Sequence, residues 1–372
     1  MTGVPPLEYN ITYLTNRCSM ETWLITGGAG FIGSNLVQKI LREREDVRVI
    51  NLDLLTYAGN LANLPEALPS RRHVFVHGDI CDQELVRSIL IKFEPTRVLN
   101  LAAESHVDRS ITAPEEFMNS NVLGTVRLLK ECLAYRDKRP HLDFLYHQIS
   151  TDEVYGSLSP GDAPFVETDR YRPSTPYAAA KAAADHFVRS FGNTYDLPYI
   201  ITNGSNNYGP FQFPEKFIPL MIMNALTGRP LTLHGEGKHL RDWLHVDDHC
   251  AALIELNRTT GMAGESFNVG GSCEKSSIEV LNAVLRSLDS FGIEVQSSVM
   301  FIPDRKGNDT RYGLNSTKIG LAAKWSPKIS FYDGIRSTVE WYLNNRDWLE
   351  RVWPSGYSRA IDLTTSPSEV VV

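Results

Sequence analysis

Tyr177 and Lys181 lie four residues apart, which puts both side chains on one face if the segment is helical. A buried ammonium beside a phenol stabilises the phenolate and lowers the tyrosine pKa, giving a base able to take a proton from an alcohol near neutral pH. Upstream, Ser150-Thr151-Asp152-Glu153 sets two carboxyl groups side by side. In opposite protonation states such a pair serves as acid and base. A third group is Gly27-Gly28-Ala29-Gly30-Phe31-Ile32-Gly33, with a G-x-x-G-x-x-G spacing over Gly27, Gly30 and Gly33. Glycines admit a pyrophosphate close to the backbone, and a helix starting there turns its unpaired amides toward the anion.

These groups need elements to position them. Residues 23–26 read as a strand running into the Gly-rich turn, with a helix from Phe31. Residues 47–52 form the next strand, and Asp53, twenty residues beyond Gly33, can accept hydrogen bonds from an adenosine ribose diol while disfavouring an additional phosphate. A third strand at 74–76 precedes Asp79-Ile80, which either contacts an adenine or caps the strand end. A helix through Leu85, Val86, Ile89 and Leu90 follows, then a strand at 98–101, a helix from about 115 to 135, and a strand at 144–149 that delivers the acidic pair to a ligand crevice. Pro176 starts a helix that Ser174 or Thr175 can cap. This alternation predicts an α/β fold, a Rossmann-type doubly wound parallel sheet.

Beyond Tyr208 the alternation lapses and Pro210, Pro214, Pro219 and Pro230 interrupt the chain, predicting a smaller C-terminal substrate-binding domain. Residues 243–246 and 267–269 read as buried strands that return to the first sheet. The expected organisation is an extension at 1–19, a dinucleotide-binding domain at 20–207 with returning segments near 241–271, a second domain from 208–240 and 272–352, and a disordered tail at 353–372.

The 372 residues are 42% hydrophobic and 22% charged, the balance of a soluble globular protein. Lys plus Arg number 37 against 44 Asp plus Glu, and the net charge of -7 argues against a nucleic-acid partner. An anionic ligand must therefore be held by local cations or backbone donors. Five scattered cysteines, Cys18, Cys81, Cys132, Cys250 and Cys273, form no C-x-x-C pair, so neither a metal site nor a disulfide framework is expected. No signal peptide or membrane span is legible, and the cytoplasm is the expected location.

With these motifs assembled, the chain resembles the extended short-chain dehydrogenase/reductases, and within them the dTDP-glucose 4,6-dehydratase family, over nearly all of residues 21–352. Further matching segments are 52–60, Ala102-Ala103-Glu104-Ser105-His106-Val107-Asp108-Arg109-Ser110, Ser205-Asn206-Asn207-Tyr208-Gly209-Pro210, Pro214-Glu215-Lys216, Arg241-Asp242-Trp243 and Asp304-Arg305. The adjacent Asp152 and Glu153 separate this group from sugar epimerases of the same superfamily, which lack both. The chain departs from the pattern at Asn308, where many members have His, and at Gly204, which replaces a larger residue.

The resemblance implies NAD as cofactor, bound through Gly27, Gly30, Phe31, Ile32, Gly33, Asp53, Asp79, Ile80, Tyr177 and Lys181. It implies a nucleotide-diphosphate hexose as substrate, with Tyr177 taking the proton of the 4-hydroxyl, Thr151 and Lys181 supporting it, Glu153 removing the C5 proton and Asp152 protonating the departing 6-hydroxyl. Arg241 and Arg305 match diphosphate contacts, and Ser105, Asn206, Glu215, Lys216, Asn268, Asp309 and Tyr312 match substrate contacts. It further implies a homodimer paired through the helices at 115–135 and 176–195, where the alanines at 178–180 and 182–184 permit close approach. Competing readings are a UDP-glucose 4,6-dehydratase, a 4-epimerase or 4-reductase with no use for the acidic pair, and a non-catalytic cofactor sensor.

Overall fold

The computed structural model describes residues 20–304 and 306–353. The extension at 1–19, Arg305 and the tail beyond Trp353 lie outside the described residues. In chain order the strands are β1 (Glu21–Thr26), β2 (Val47–Asp53), β3 (His73–His77), β4 (Arg97–Asn100), β5 (Leu145–Thr151), β6 (Tyr199–Gly204), β7 (Asn206–Tyr208), β8 (Leu231–His234), β9 (Leu240–His245), β10 (Glu265–Val269), β11 (Glu274–Ser276) and β12 (Val299–Ile302). The helices are α1 (Phe31–Glu43), α2 (Gln83–Phe93), α3 (Val107–Thr112), α4 (Pro114–Phe117), α5 (Thr125–Asp137), α6 (Pro176–Tyr195), α7 (Phe217–Leu226), α8 (Val246–Arg258), α9 (Ser277–Ser290), α10 (Thr317–Ala323), α11 (Phe331–Asn344) and α12 (Arg346–Val352).

Seven strands form one parallel sheet in the order β10-β6-β5-β4-β1-β2-β3. The chain builds outward from β1 to β3, then crosses to the other side of β1 for β4, so a crevice opens where the carboxyl ends of β1 and β4 part. Alternate strand residues face opposite layers. Leu24, Ile50, Val98 and Tyr146 pack with residues of α2, α5 and α6 on one face. Trp23, Ile25, Val49 and Leu99 pack with Leu36, Val37 and Ile40 of α1 and Cys250, Leu253 and Ile254 of α8 on the other.

Two segments were expected to return to this sheet, and they diverge. Residues 267–269 lie in β10 and pair with β6. Residues 243–245 belong to β9, which pairs instead with β7 and β11 in a separate three-stranded sheet. The reason is packing: Trp243 joins Tyr208, Met221, Ile222, Leu281, Val284, Ile335 and Tyr342 in a second core, while α8, immediately after β9, returns to cover the first sheet. The helix expected at 115–135 is also interrupted. It is α4 and α5 joined by a π-helical segment, Met118–Gly124, which a smooth apolar periodicity cannot reveal. No helix among the described residues is long and apolar enough to cross a membrane.

The second core also braces the Gly-rich turn. Trp348 of α12 donates from Nε1 to Oδ1 of Asn63 at 2.7 Å, and Asn63 Nδ2 donates to the Ala29 carbonyl at 2.8 Å. Both side chains are buried. Trp348→Phe leaves a buried amide oxygen without its donor, which costs about 1–3 kcal/mol. Urea denaturation should show a lower midpoint for this variant, and an unchanged midpoint would mean that the contact contributes nothing.

Candidate active site

At the carboxyl end of β1, Gly27 adopts φ +70°, and a Cβ there would stand 2.7 Å from the Ala102 backbone nitrogen. Gly33 is constrained more tightly, since its Cβ would meet the Gly27 carbonyl oxygen at 2.1 Å. These two positions let α1 start against the strand end. Gly30 is the N-cap of α1 and offers no side-chain cap to the first turn, so the amide donors of that turn are left to an anion. A Cβ on Gly30 would have only the Gly27 carbonyl oxygen near it, at 3.4 Å, so the turn presents an open cradle there.

Asp53, buried at the end of β2, accepts from the Ala29 amide at 2.8 Å and the Leu55 amide at 2.7 Å. Burial holds its carboxyl above the ordinary range while these two donors oppose the shift. Asp79 accepts from the Cys81 amide at 2.8 Å, so it makes the capping turn, and both it and Ile80 line the same cleft. That cleft has a volume of about 530 Å³ and is also lined by Gly27, Gly30, Phe31, Ile32, Gly33, Asp53, Ser105, Tyr177, Lys181 and Lys216.

β5 ends at Thr151, and the chain tightens at once into a 3-10 turn, Asp152–Tyr155, capped by the Thr151 hydroxyl. Asp152 is 2% exposed. Its Oδ1 accepts from the Thr151 hydroxyl at 3.3 Å, and its Oδ2 has no hydrogen-bond partner among the described residues. Burial, first, then the neighbouring charges of Glu153 and Asp242, push this carboxyl well above the usual range, against Arg241 and the Thr151 hydroxyl. The surroundings of Asp152 therefore favour its protonated form.

Tyr177 is the second residue of α6, which starts at Pro176 and is capped by Thr175 accepting from the Ala178 amide at 3.2 Å. Its ring packs edge-on against Phe117. The phenol is raised above its ordinary pKa by burial and by Glu153 and Asp152, with Thr151 hydrogen bonding in the opposite direction. This corrects the expectation that Lys181 lowers it. Lys181, one turn further along α6, directs Nζ to the Ile149 carbonyl at 2.6 Å, and burial lowers its pKa while Asp185 opposes. The carboxyl end of β5 thus anchors the ammonium through one of its three donors.

On the far side of the cleft Lys216 donates to the Ser105 carbonyl at 3.1 Å and lies 3.8 Å from Glu215, which also faces His106 at 3.5 Å. Among the described residues, buried polar atoms here lack a hydrogen-bond partner: Asn206 Oδ1, Glu215 Oε1, Glu104 Oε2 and the Tyr57 hydroxyl. Arg241 of β9 is stacked on Tyr312 with its guanidinium 4.4 Å from the ring centroid, and donates to the Asp309 carbonyl at 2.9 Å and to Asn308 at 3.1 Å. Asp309 accepts from Ser174 at 2.7 Å and Tyr312 at 2.5 Å, so it clasps this segment to the start of α6.

Asn268 does not join the site. It is fully buried in β10, accepts from the Tyr155 hydroxyl at 2.8 Å and donates to the Phe165 carbonyl at 2.9 Å, so its amide is used in holding the 155–165 loop. Gly204 also has a packing role, since a Cβ there would stand 2.9 Å from the His249 ring.

Sequence reasoning passed over Asn121. Its side chain exchanges two hydrogen bonds with the backbone of Glu104, at 2.8 and 2.9 Å, and its π-helical setting leaves no periodic signal. It named Asp242 within a matching segment but gave it no role; the carboxylate accepts from the Gly271 and Cys273 amides at 3.1 and 2.8 Å.

A parallel sheet with a Gly-rich turn, and a tyrosine and lysine on one helix beside the strand-end acids, define an extended short-chain dehydrogenase/reductase. The model of the GDP-mannose 4,6 dehydratase family matches residues 24–338. A dTDP-glucose 4,6-dehydratase of Neisseria meningitidis serogroup B is 46% identical over 348 residues, 91% of this chain and 98% of that protein. A solved structure of the Streptomyces venezuelae enzyme DesIV, a dTDP-glucose 4,6-dehydratase with NAD and TYD bound, is 42% identical with a TM-score of 0.82, covering 89% of this chain and 99% of that one. The UDP-glucose 4-epimerase of Thermotoga maritima shares the fold at 28% identity and a TM-score of 0.77, covering 87% and 99%. The chain belongs to the dTDP-glucose 4,6-dehydratase family.

Asp242 allows a test of how burial sets charge in this region. Burial is the main cause of its raised pKa, about 6 against 3.8 in an unfolded chain. The folded state therefore binds more protons than the unfolded state between these values, and its contribution to stability is lost as pH rises through that window. Relative to Asp242→Asn, the parent protein should lose stability in urea denaturation as pH rises from about 4 to about 6. A gap independent of pH would contradict the raised pKa.

Proposed function

We propose that this protein is an NAD-dependent 4,6-dehydratase that converts dTDP-glucose to dTDP-4-keto-6-deoxyglucose and water. The observation that carries the reading is the buried Asp152, its carboxyl pushed toward the protonated form, set beside Glu153 and the Tyr177 phenol at the end of β5. An epimerase has no use for an acid there.

The turn at Gly27, Gly30, Phe31, Ile32 and Gly33 fits a dinucleotide diphosphate, because its amides are uncapped and its walls leave no room for a side chain at Gly27 or Gly33. Asp53 suits an adenosine ribose diol and repels a ribose phosphate, which favours NAD over NADP. Asp79 and Ile80 border the adenine end. When bound, NAD supplies the hydride acceptor for C4, the hydride donor for C6 and, oxidised, a positive charge that favours the phenolate.

Tyr177 takes the proton of the sugar 4-hydroxyl, with the Thr151 hydroxyl and Lys181 supporting the charge that develops. The C4 ketone acidifies the neighbouring C5–H bond, and Glu153 removes that proton. Electrons from the broken C–H bond form the C5–C6 double bond as the C6–O bond breaks, and Asp152 gives its proton to the leaving hydroxyl, which departs as water. Arg241 meets the diphosphate, a contact to which Arg305 is assigned by its motif alone, while Ser105, Asn206, Glu215, Lys216, Asp309 and Tyr312 surround the rest of the substrate.

Incubation with dTDP-glucose and with UDP-glucose, followed by product mass and ring-position analysis, tests both reaction and nucleotide. Tyr177→Phe should lower product formation by about 10²–10⁴-fold with no reduced cofactor. Asp152→Asn and Glu153→Gln should instead stall with reduced cofactor and 4-keto sugar, and Glu153→Gln should also suppress solvent-deuterium entry at C5. Wild-type rates in both acid variants would reopen the epimerase reading.

The same reading makes the protein a cytoplasmic homodimer. α6 packs beside the π-helical segment, and Met118, Leu123, Phe187 and Tyr195 on these elements are exposed apolar residues. The alanines expected to make the contact are mostly internal: Ala178, Ala180, Ala182 and Ala184 are buried within the subunit. Light scattering at micromolar concentration should give twice the chain mass, and a monomer would contradict the pairing.

A further inference from the structure

The Tyr57 hydroxyl has no role in the chemistry above, yet it is built into the same cleft. The loop that carries it is pinned on both sides: the Leu55 amide donates to Asp53 at 2.7 Å, with Leu55 at φ +54°, and the Asn60 amide donates to the Ala29 carbonyl at 3.0 Å. The ring is clamped as well. Arg109 lies over it, guanidinium 5.0 Å from the centroid, and Phe213 meets it edge-on at 5.7 Å. A phenol held this firmly keeps its hydroxyl pointing one way, and among the described residues that buried hydroxyl has no partner at hydrogen-bond distance, Ser105 and Glu215 being the polar side chains that influence it.

Its surroundings say what could satisfy it. Ser105, Glu215 and Glu104 are its polar neighbours, and it stands within electrostatic reach of the Tyr177 phenol. Among the described residues Glu104 Oε2 and Glu215 Oε1 are also buried without hydrogen-bond partners, although Arg109 lies 3.6 Å from the first and Lys216 3.8 Å from the second. This stretch of wall therefore offers one hydroxyl and two carboxylates whose charge is balanced by neighbouring cations. A neutral group bearing several hydroxyls suits such a wall, since it can donate to both carboxylates and accept from the phenol without bringing a net charge. Burial and the two carboxylates keep Tyr57 protonated, hence a donor, at any working pH.

We propose that Tyr57 donates a hydrogen bond to a hydroxyl of the hexose, and that it thereby selects for the sugar rather than for the nucleotide. The proposal rests on the dehydratase reading, because that reading brings a hexose to Tyr177.

Tyr57→Phe keeps the ring, the Arg109 stack and the Phe213 contact, and removes only the hydroxyl. With the NAD-loaded protein, the KM for dTDP-glucose should rise about tenfold, as expected for an unmet polar group in a buried site. Because the contact is made to ground state and transition state alike, kcat should stay near the parent value. The inhibition constant of dTDP, which has no sugar, should not change, nor should cofactor retention or melting temperature. An unchanged KM overturns the proposal. So does a parallel rise in the dTDP constant, a loss of cofactor, or a fall in kcat alone, which would make Tyr57 a positioning residue for Tyr177. The parent protein is measured first: failure to turn over dTDP-glucose would remove the dehydratase reading and this inference together, whereas a normal parent with an indistinguishable variant removes only the inference.

Discussion

Removal of water from the carboxyl end of β5 is the constraint on which the rest of the site depends. Asp152, Lys181 and Asp185 are each almost fully buried, and for each burial is the largest influence on its proton affinity. Burial favours the protonated form of Asp152, brings Lys181 closer to neutrality and leaves Glu153, less enclosed, beside them. Adjacent carboxyl groups are thereby distinguished first by depth and then by the charges around them. The polar network behind the strand end holds this arrangement: Ser150 donates to Asp185 at 2.6 Å, and Tyr171 donates to the same carboxyl at 3.2 Å.

Ala29 plays a comparable part for the backbone. Its amide reaches Asp53, and its carbonyl receives both the Asn60 amide and the Asn63 side chain. Through Asn63 and Trp348 the turn is connected to the second core, and through Asp53 to the loop that carries Tyr57. A turn with three independent fixings keeps its amides pre-oriented, so little ordering is left for ligand binding to impose.

Much of this was legible in the sequence because the signals are local. The strand ends at Gly27, Asp53 and Thr151, and the Pro176 start of α6, follow from short patterns in which neighbours in sequence do the work. What could not be read depends on contacts distant in sequence. Whether residues 243–246 join the first sheet or another is decided by the aromatic and aliphatic side chains around Trp243. Whether Asn268 faces a ligand or Tyr155 is decided by a loop more than a hundred residues earlier. The side chain of Lys181 was placed on the face of α6 that carries Tyr177, but helical spacing fixes direction and could not name the Ile149 carbonyl that accepts its ammonium.

β9 carries Arg241 and Asp242 in succession, paired to Lys275 and Glu274 of β11. Successive strand residues point to opposite sides, so the guanidinium goes to Tyr312 and Asp309 while the carboxylate goes to the amides at 271 and 273. This register fixes which charge each face of β9 carries. A slip of one residue would exchange the two side chains, bringing a carboxylate against the Tyr312 ring and the Asp309 carbonyl and a cation against backbone donors that need an acceptor. The length of the turn between β8 and β9 is therefore under an electrostatic constraint: a single inserted residue that reached the strand would exchange the charges on its two faces while leaving the order of charged residues along the chain unchanged.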